Sequence, residues 1–350
     1  MRDIRSAGGS SACMQAGNSA DAKMKPMRQF LIALALVWTG ACIAAYVYSQ
    51  QQHIPAHLAY ILVPAFLIEI GLYLVPGFPE IRKRFERIDS KIARAALLIL
   101  GAIVPYLMVT LRLGTFSPTS FLLLLGLTAV VAFWYVWMRP NTLVDVLFLA
   151  FFAAIFISKS FAGIYPRPAP KLPLDILGRL MWIRLGLMSV MSIRRIENVR
   201  FGFTPNLGEW RIGIQQFLLF IPAGVAAAYF LRVATFRPIN MVWWKFPLYV
   251  LITFFAILWV VALAEEFFFR GFLQQLLARG LHSKIAALLV TSVLFGLVHL
   301  PFRHFPNWRF AIVAGLAGVF YGIAYMRAHS VRACMVTHAL VVTTWRVFFI

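Results

Sequence analysis

Long apolar segments recur along almost the whole of this 350-residue chain, and many are long enough to cross a lipid bilayer as a helix. Charged residues make up only 13% of the chain, about half of the fraction found in soluble domains. Because soluble core helices do not repeat so often at this length, the pattern predicts an all-α, multi-pass transmembrane helical bundle of about ten or eleven spans. The predicted spans are 29–48, 57–77, 95–113, 119–138, 142–161, 174–192, 213–232, 246–270, 285–302, 309–326 and 333–349. Span 174–192 has the weakest pattern, since Arg179 and Arg184 interrupt it.

The distribution of basic residues indicates how the chain is oriented. Its formal net charge is +21, which in a soluble protein would favour a nucleic-acid partner. With eleven spans and the N-terminus inside, about 20 of the 33 Lys and Arg fall in inner segments, in agreement with the positive-inside rule. The basic loops then face anionic lipid, and the chain has no RNA-binding motif. We therefore expect the lipid bilayer as a partner and no nucleic acid. The compact loops favour a bacterial inner (plasma) membrane, with the N-terminus in the cytoplasm.

Composition divides the chain into four regions. The first is polar and rich in small residues, which is typical of a disordered tail, and the second consists of plain hairpins with short loops. The third opens with four prolines in eight residues, a density that breaks helices. The fourth holds most of the polar residues that stand out within apolar helices. The predicted regions are 1–27 for the N-terminal tail, 28–165 for the transmembrane hairpins, 166–209 for a Pro-rich connector with an amphipathic or marginal span and a basic loop, and 210–350 for the C-terminal bundle.

Two acidic residues, Glu69 and Asp145, lie inside apolar segments of the N-terminal half. Asp145 follows Asn141 and Thr142 by about one turn, so it lies at the start of a helix, where the helix dipole favours an acid. We predict that both acids lie at the membrane interface, where water solvates their charge.

The apolar span 246–270 contains two adjacent carboxylates, Glu265 and Glu266, with Arg270 four residues after the second. Ionisable groups at membrane depth are costly and by default indicate a functional site. Glu266 and Arg270 share a helix face and can form an ion pair, whereas Glu265 is rotated by about 100° and stays free of the arginine. A free carboxylate beside a paired one is suited to act as a general base. The alternative is that both glutamates cap the end of a span and face water.

Two histidines lie on later predicted spans, His299 on 285–302 and His338 on 333–349. Each histidine alone fits a packed, hydrogen-bonded side chain. Together with Glu265 they supply two imidazoles and a carboxylate from three helices, which could activate a water and stabilise an oxyanion, or bind a metal with an open position. The remaining histidines of this half fall in predicted loops, where we expect them to be solvated: His282, His304 and His329.

Small residues form a stripe along the predicted span 309–326. At this spacing they allow neighbouring helices to approach closely, as in many membrane proteins. Close packing explains the stripe fully, so we predict no chemistry for it. Its members are Ala311, Gly315, Gly318 and Gly322.

Three motifs within about residues 210–350 resemble those of the CPBP family. This family includes the CAAX-processing prenyl proteases of the Rce1 type and the bacterial Abi, or bacteriocin-immunity, proteins. The motifs are Glu265-Glu266-x-x-x-Arg270, then Phe295-x-x-x-His299, then a glycine-rich helix that runs into Ser330 and His338-Ala339-Leu340. The resemblance implies that the C-terminal bundle is an Rce1-like catalytic bundle.

The family resemblance also implies an activity, which is intramembrane proteolysis of a membrane-associated protein or peptide. Glu265 would activate the attacking water, Glu266 would pair with Arg270, His299 would help to bind the water, and His338 would help to stabilise the oxyanion. If a zinc or another divalent ion takes part, Glu265, His299 and His338 would hold it. The alternative is a glutamate protease without a metal.

One position departs from the family pattern. The residue four positions after His338 is usually Asn or Asp, but here it is Val342, which cannot donate a hydrogen bond. Losing an oxyanion donor typically lowers a rate by about 100-fold or more. Thr343 is rotated by roughly another 100° and could replace the donor only in a distorted helix. The sequence therefore leaves a second hypothesis, a weakly active or inactive family member that acts as a membrane scaffold or immunity protein. A transporter is less favoured, because neither inverted repeats nor paired broken helices are visible.

Overall fold

The computed structural model describes residues 9–197, 199–239 and 241–349, without the side chains of residues 9–25. Over these residues the protein is all-α, as predicted, and its only β-type pairing is an isolated bridge between Phe236 and Phe349. The helices, numbered in chain order, are α1 (Gly9–Gln52), α2 (Ala56–Gly77), α3 (Pro79–Glu86), α4 (Lys91–Arg112), α5 (Pro118–Trp137), α6 (Thr142–Ile157), α7 (Phe161–Ile164), α8 (Asp175–Ile193), α9 (Leu207–Phe230), α10 (Lys245–Gly280), α11 (Lys284–Leu297), α12 (Trp308–Ala328) and α13 (Val331–Phe348).

Eight helices in the described part of the chain are long and apolar enough to cross a membrane. This number is smaller than the ten or eleven spans predicted from the sequence. Helices α6 and α11 are apolar but short, with 16 and 14 residues. Helix α13 has 18 residues but is not among the eight, and it carries Arg332, His338 and Arg346. The protein is a multi-pass helical membrane protein.

Helix α1 begins earlier than the sequence pattern predicts. The predicted disordered tail covers residues 1–27; residues 1–8 lie outside the described part of the chain, and the structure continues α1 back to Gly9. Residues 11–25 include several Ala, Met, Gln and Lys, which are good helix formers, so a helix started by the apolar span can extend through them.

Helix α8 lies at the centre of the N-terminal bundle. In its most apolar stretch of 18 residues, 89% of the residues are buried, and the helix packs against α2, α4 and α5. Arg184 donates two hydrogen bonds to Glu69 of α2, with N–O distances of 2.9 and 3.1 Å, and another to the carbonyl oxygen of Gly101 at 3.1 Å. The prediction that Glu69 lies at the interface is therefore wrong. The arginine that weakens the pattern of this span instead offsets the cost of burying Glu69.

Asp145 is buried as well, so its predicted interfacial position is also wrong. Arg194 binds both of its carboxylate oxygens, with N–O distances of 2.7 and 2.5 Å, and the hydroxyl of Tyr135 donates a third hydrogen bond at 2.9 Å. Its position at the start of a helix is confirmed, since the side chain of Asn141 caps α6 by accepting the N–H of Val144 at 3.0 Å. The predicted positions of Glu69 and Asp145 were both wrong because the arginine that binds each acid lies far away in the sequence.

Helices α9 to α13 form the C-terminal bundle, in which α12 packs against α9, α11 and α13. The small residues of α12 permit a close approach to α11, as predicted. A Cβ atom added at Gly296 of α11 would lie 2.5 Å from the carbonyl oxygen of Ala311, and one added at Gly315 would lie 3.3 Å from that of Ser292. Glycine is required at Gly296 because there is no room for a side chain between the two backbones.

Helix α10 has 36 residues and changes its winding near the tandem glutamates. Wide π-helical turns cover Ile257–Ala262 and Phe267–Gln274, and the α-helical turn Leu263–Glu266 lies between them. Such turns break the regular hydrogen-bond ladder and are frequent at functional sites. The aromatic ring of Phe268 packs on Phe152 of α6, with ring centroids 4.5 Å apart, and so joins this segment to the N-terminal bundle.

Candidate active site

Glu266 and Arg270 form the ion pair that the sequence predicts. Arg270 Nη1 lies 3.1 Å from Glu266 Oε1, and both side chains are fully buried. A buried charge is tolerated only when it is paired and hydrogen-bonded, so each residue depends on the other. The capping alternative is excluded for Glu266, because a helix cap that faces water would be exposed.

Arg270 is held by helices α11 and α12 as well as by Glu266. Its Nη2 atom donates to the carbonyl oxygen of Gly318 at 2.9 Å. The guanidinium carbon lies 4.5 Å from the ring centre of Phe295 and 5.3 Å from that of Tyr321. Aromatic faces stabilise a cation at such distances. The glycine stripe therefore does more than pack helices, since its Gly318 supplies an oxygen to the buried arginine.

His338 of α13 completes this buried group. Its Nδ1 atom lies 2.7 Å from Glu266 Oε1, the same oxygen that binds Arg270. Its ring stacks on Tyr321, with centroids 4.6 Å apart and planes at 10°. A carboxylate that binds one imidazole nitrogen sets the orientation of the other. The contact between His338 and Glu266 was not predicted, because 72 residues separate them and no local pattern connects them.

Glu265 lies beside this group but is not part of its hydrogen-bond network. Its Oε2 atom is 3.9 Å from His338 Nε2, and the side chain is 30% exposed. That oxygen is buried and has no hydrogen-bond partner among the described residues. A separation of 3.9 Å is too long for a direct hydrogen bond, but a water molecule could bridge the two atoms. One carboxylate is thus paired and one is available, as the sequence predicts.

His299 lies in the turn just after α11, which ends at Leu297, and not within a span. Its Nδ1 atom lies 2.7 Å from the carbonyl oxygen of Phe295. A carbonyl oxygen only accepts, so Nδ1 carries the proton and Nε2 of the neutral ring keeps its lone pair. The ring of Phe295 contacts both histidines, with centroids 4.7 Å from His299 and 5.8 Å from His338. Phe295 thus contacts both imidazoles, and the tertiary structure brings His338 within 3.9 Å of Glu265.

The side chains of this site do not form a ready metal-binding set. No group of three or more His, Cys, Asp or Glu side chains in the described chain is arranged to hold a metal ion. The sequence predicts Glu265, His299 and His338 as ligands, and these three side chains do not form such a group. The other three histidines of this half are exposed, as predicted: His282, His304 and His329.

Val342 packs against the core, so it leaves the family's donor position apolar. Helix α13 is regular over Val331–Phe348, and the hydroxyl of Thr343 is buried without a partner among the described residues.

The Nε1 atom of Trp345 is likewise buried and unpaired within the described part of the protein. Trp345 follows His338 by seven residues, which places both on one helix face. This donor was not predicted from the sequence, because tryptophan in an apolar helix is normally a packing residue.

Comparison with known proteins identifies a related family for part of the chain. Residues 247–344 match the family described as type II CAAX prenyl endopeptidase Rce1-like. The matched range includes all five predicted site residues: Glu265, Glu266, Arg270, His299 and His338. Searches of curated proteins and of solved structures found no match. Residues 247–344 of this multi-pass membrane protein are therefore a domain of the Rce1-like family of type II CAAX prenyl endopeptidases.

Proposed function

We propose that the protein is an intramembrane endopeptidase that hydrolyses a peptide bond in a membrane-associated protein or peptide. The observation that carries this proposal is the available oxygen of Glu265, which lies 3.9 Å from an imidazole nitrogen of His338. The buried group formed by Glu266, Arg270 and His338 supports it, because such a group holds the imidazole in one orientation. Pre-oriented groups lower the barrier, since little rearrangement is needed during the reaction.

In the proposed reaction, Glu265 takes a proton from a water molecule as the water oxygen attacks the peptide carbonyl carbon. His299 contacts this water through its unprotonated Nε2. The carbonyl oxygen becomes an oxyanion, and His338 donates to it through Nε2 as an imidazolium, since its Nδ1–H already donates to Glu266. Glu265 then passes its proton to the amide nitrogen, the C–N bond breaks, and the products are a carboxylic acid and an amine. These steps use side chains alone, because the described residues do not form a three-ligand set for zinc or another divalent metal.

We also propose a bacterial inner membrane with the N-terminus in the cytoplasm. The support is the excess of Lys and Arg in the segments that this orientation places inside. In this orientation the basic helix α3, which contains Arg82, Lys83 and Arg84, faces the cytoplasmic lipid surface.

The proposed reaction can be tested with the full chain reconstituted into vesicles and incubated in H₂¹⁸O. The substrates are a prenylated peptide with a CAAX terminus and an unprenylated peptide anchored in the membrane. Mass spectrometry is expected to find one ¹⁸O atom in the new carboxyl terminus of at least one of them. His299→Asn is expected to lower the rate by roughly 10²-fold, because the water loses a contact.

A matched control for His299 is His282→Asn, which replaces an exposed histidine of the loop after α10. This variant is expected to keep the wild-type rate. The proposal is wrong if neither peptide is cleaved by wild-type protein that binds it, or if His299→Asn and His282→Asn cleave at the same rate.

Val342 favours a second candidate function, that of a weakly active or inactive membrane scaffold. Replacing Val342 with Asn would restore a donor one turn after His338. We expect the rate of peptide cleavage to rise about tenfold or more, since a single oxyanion donor is typically worth 10²- to 10³-fold. Val342→Thr serves as a control of nearly equal size, because its shorter hydroxyl does not reach as far as an amide. A wild-type protein that does not cleave, and a Val342→Asn variant that does, would favour the scaffold function for the natural chain.

A further inference from the structure

A cavity of about 440 Å³ opens at the end of the C-terminal bundle where α9 ends and α12 begins. It is separate from the buried group around Arg270, and three of its lining residues are arginines: Arg232, Arg303 and Arg309. All three are exposed. His304 and Asn307 add polar atoms to the wall, and Phe302 and Phe310 form its apolar part.

The three arginines have no acidic partner within the described part of the chain. No carboxylate of the described residues lies within ion-pair distance of any of them, and Arg303 only stacks its guanidinium carbon 5.4 Å from the ring centre of Phe302. From residue 210 to the end of the chain, Glu265 and Glu266 are the only acidic residues. Both belong to the site around Arg270, and Glu209 near the start of α9 pairs with Arg332, so no described acidic side chain of the C-terminal bundle neutralises the cavity.

The surroundings of the cavity match the headgroup region of a bilayer. Phe305 and Trp308 are 74% and 56% exposed at its rim. Trp243 and Trp244 are also exposed and directly precede α10 at the same end of the bundle. Aromatic residues concentrate at the depth of the lipid headgroups, where apolar rings and polar edges are both solvated.

We propose that this cavity binds the phosphate group of an anionic phospholipid headgroup. Guanidinium groups bind phosphate oxygens in a two-pronged geometry, and three of them here face one open volume. The positive end of the α12 dipole lies at the same wall and adds to the favourable field. A soluble phosphate carries the same oxygens, so its binding must be measured separately.

The cavity adjoins the candidate active site through aromatic rings. Phe302 and Phe310 of its wall stack with centroids 4.1 Å apart, and Phe310 lies 6.0 Å from the ring of His299. A lipid headgroup in the cavity would therefore lie beside the turn that carries His299. Lipid binding itself does not depend on the proposed protease activity, because none of the three arginines belongs to the group around Arg270.

Native mass spectrometry of the full chain in detergent can test the proposal with phosphatidylglycerol, phosphatidylcholine and inorganic phosphate as probes. We expect phosphatidylglycerol to bind more tightly than phosphatidylcholine. The double variant Arg303→Gln/Arg309→Gln is expected to bind phosphatidylglycerol at least about tenfold more weakly. Each basic residue near an anionic lipid surface strengthens binding by about fivefold. Arg303→Lys/Arg309→Lys, which keeps the charge, is expected to retain most of the binding.

The matched control is Arg279→Gln/Arg327→Gln, which removes two exposed arginines from the opposite end of α10 and α12. It should bind phosphatidylglycerol as the wild type does. Equal losses in both Gln variants would overturn the proposal, because they would show a response to net charge alone. Equal affinity for the two lipids, or binding of inorganic phosphate without binding of lipid, would overturn it as well.

Discussion

Replacing Glu265 with Gln is expected to lower the rate of peptide cleavage by roughly 10²- to 10⁴-fold, while the protein folds and binds its substrate normally. The amide is nearly the same size as the carboxylate but cannot take a proton from water. The side chain is 30% exposed, and its Oε2 has no hydrogen-bond partner among the described residues, so little stability depends on its charge. Single-turnover cleavage in vesicles, with substrate binding measured on the same sample, checks this expectation.

The control for Glu265 is Glu197→Gln, which removes the charge of an exposed glutamate outside the C-terminal bundle. We expect it to cleave at the wild-type rate. The assignment of Glu265 as the base would not survive a Glu265→Gln protein that retains more than half of the wild-type rate.

Replacing Arg270 with Met is expected to destabilise the protein by about 3–5 kcal/mol, because it leaves the buried Glu266 with His338 in place of its arginine ion pair. Methionine fills much of the volume of the arginine stem, so the loss reports mainly on charge. The double variant Arg270→Met/Glu266→Leu removes both charges and is expected to recover most of this stability. It should nevertheless stay inactive, because His338 then lacks the carboxylate that orients its ring. Reversible unfolding in mixed micelles, followed by circular dichroism, measures both changes.

An exposed arginine on the same helix provides the comparison for Arg270. Arg279→Met should change the free energy of unfolding by less than about 0.5 kcal/mol, as surface substitutions usually do. Two results would contradict the interpretation of Glu266 and Arg270 as a mutually dependent pair. One is a small effect of Arg270→Met, similar to that of Arg279→Met. The other is a double variant that is less stable than the single one.

The pair formed by Glu266 and Arg270 could be predicted because it is local. Residues four apart on a helix face one another whatever the rest of the chain does, even though wide turns interrupt the regular winding here. The apolar periodicity likewise predicts most of the helices. It overestimates the number of spans, since an apolar run does not reveal that α6 and α11 are too short, or that α13 is too polar, to count among the long apolar helices.

The errors at Glu69 and Asp145 have one physical cause. The arginine that binds Glu69 is 115 residues away, and the one that binds Asp145 is 49 residues away. When no neighbouring cation is known, a lone acid in an apolar segment is best predicted to lie at the membrane interface. Only the packing of α8 among α2, α4 and α5 supplies that cation for Glu69.

The sequence by itself determined the class of the protein, the family of its C-terminal domain and the identity of the ionisable groups in its candidate site. Those properties depend on residue type and on spacing within single helices. The tertiary structure decided that His338 binds the carboxylate already paired with Arg270, that Glu265 stays available, and that three arginines share one cavity. These contacts join residues of different helices, and they arise only when packing determines which helix faces meet.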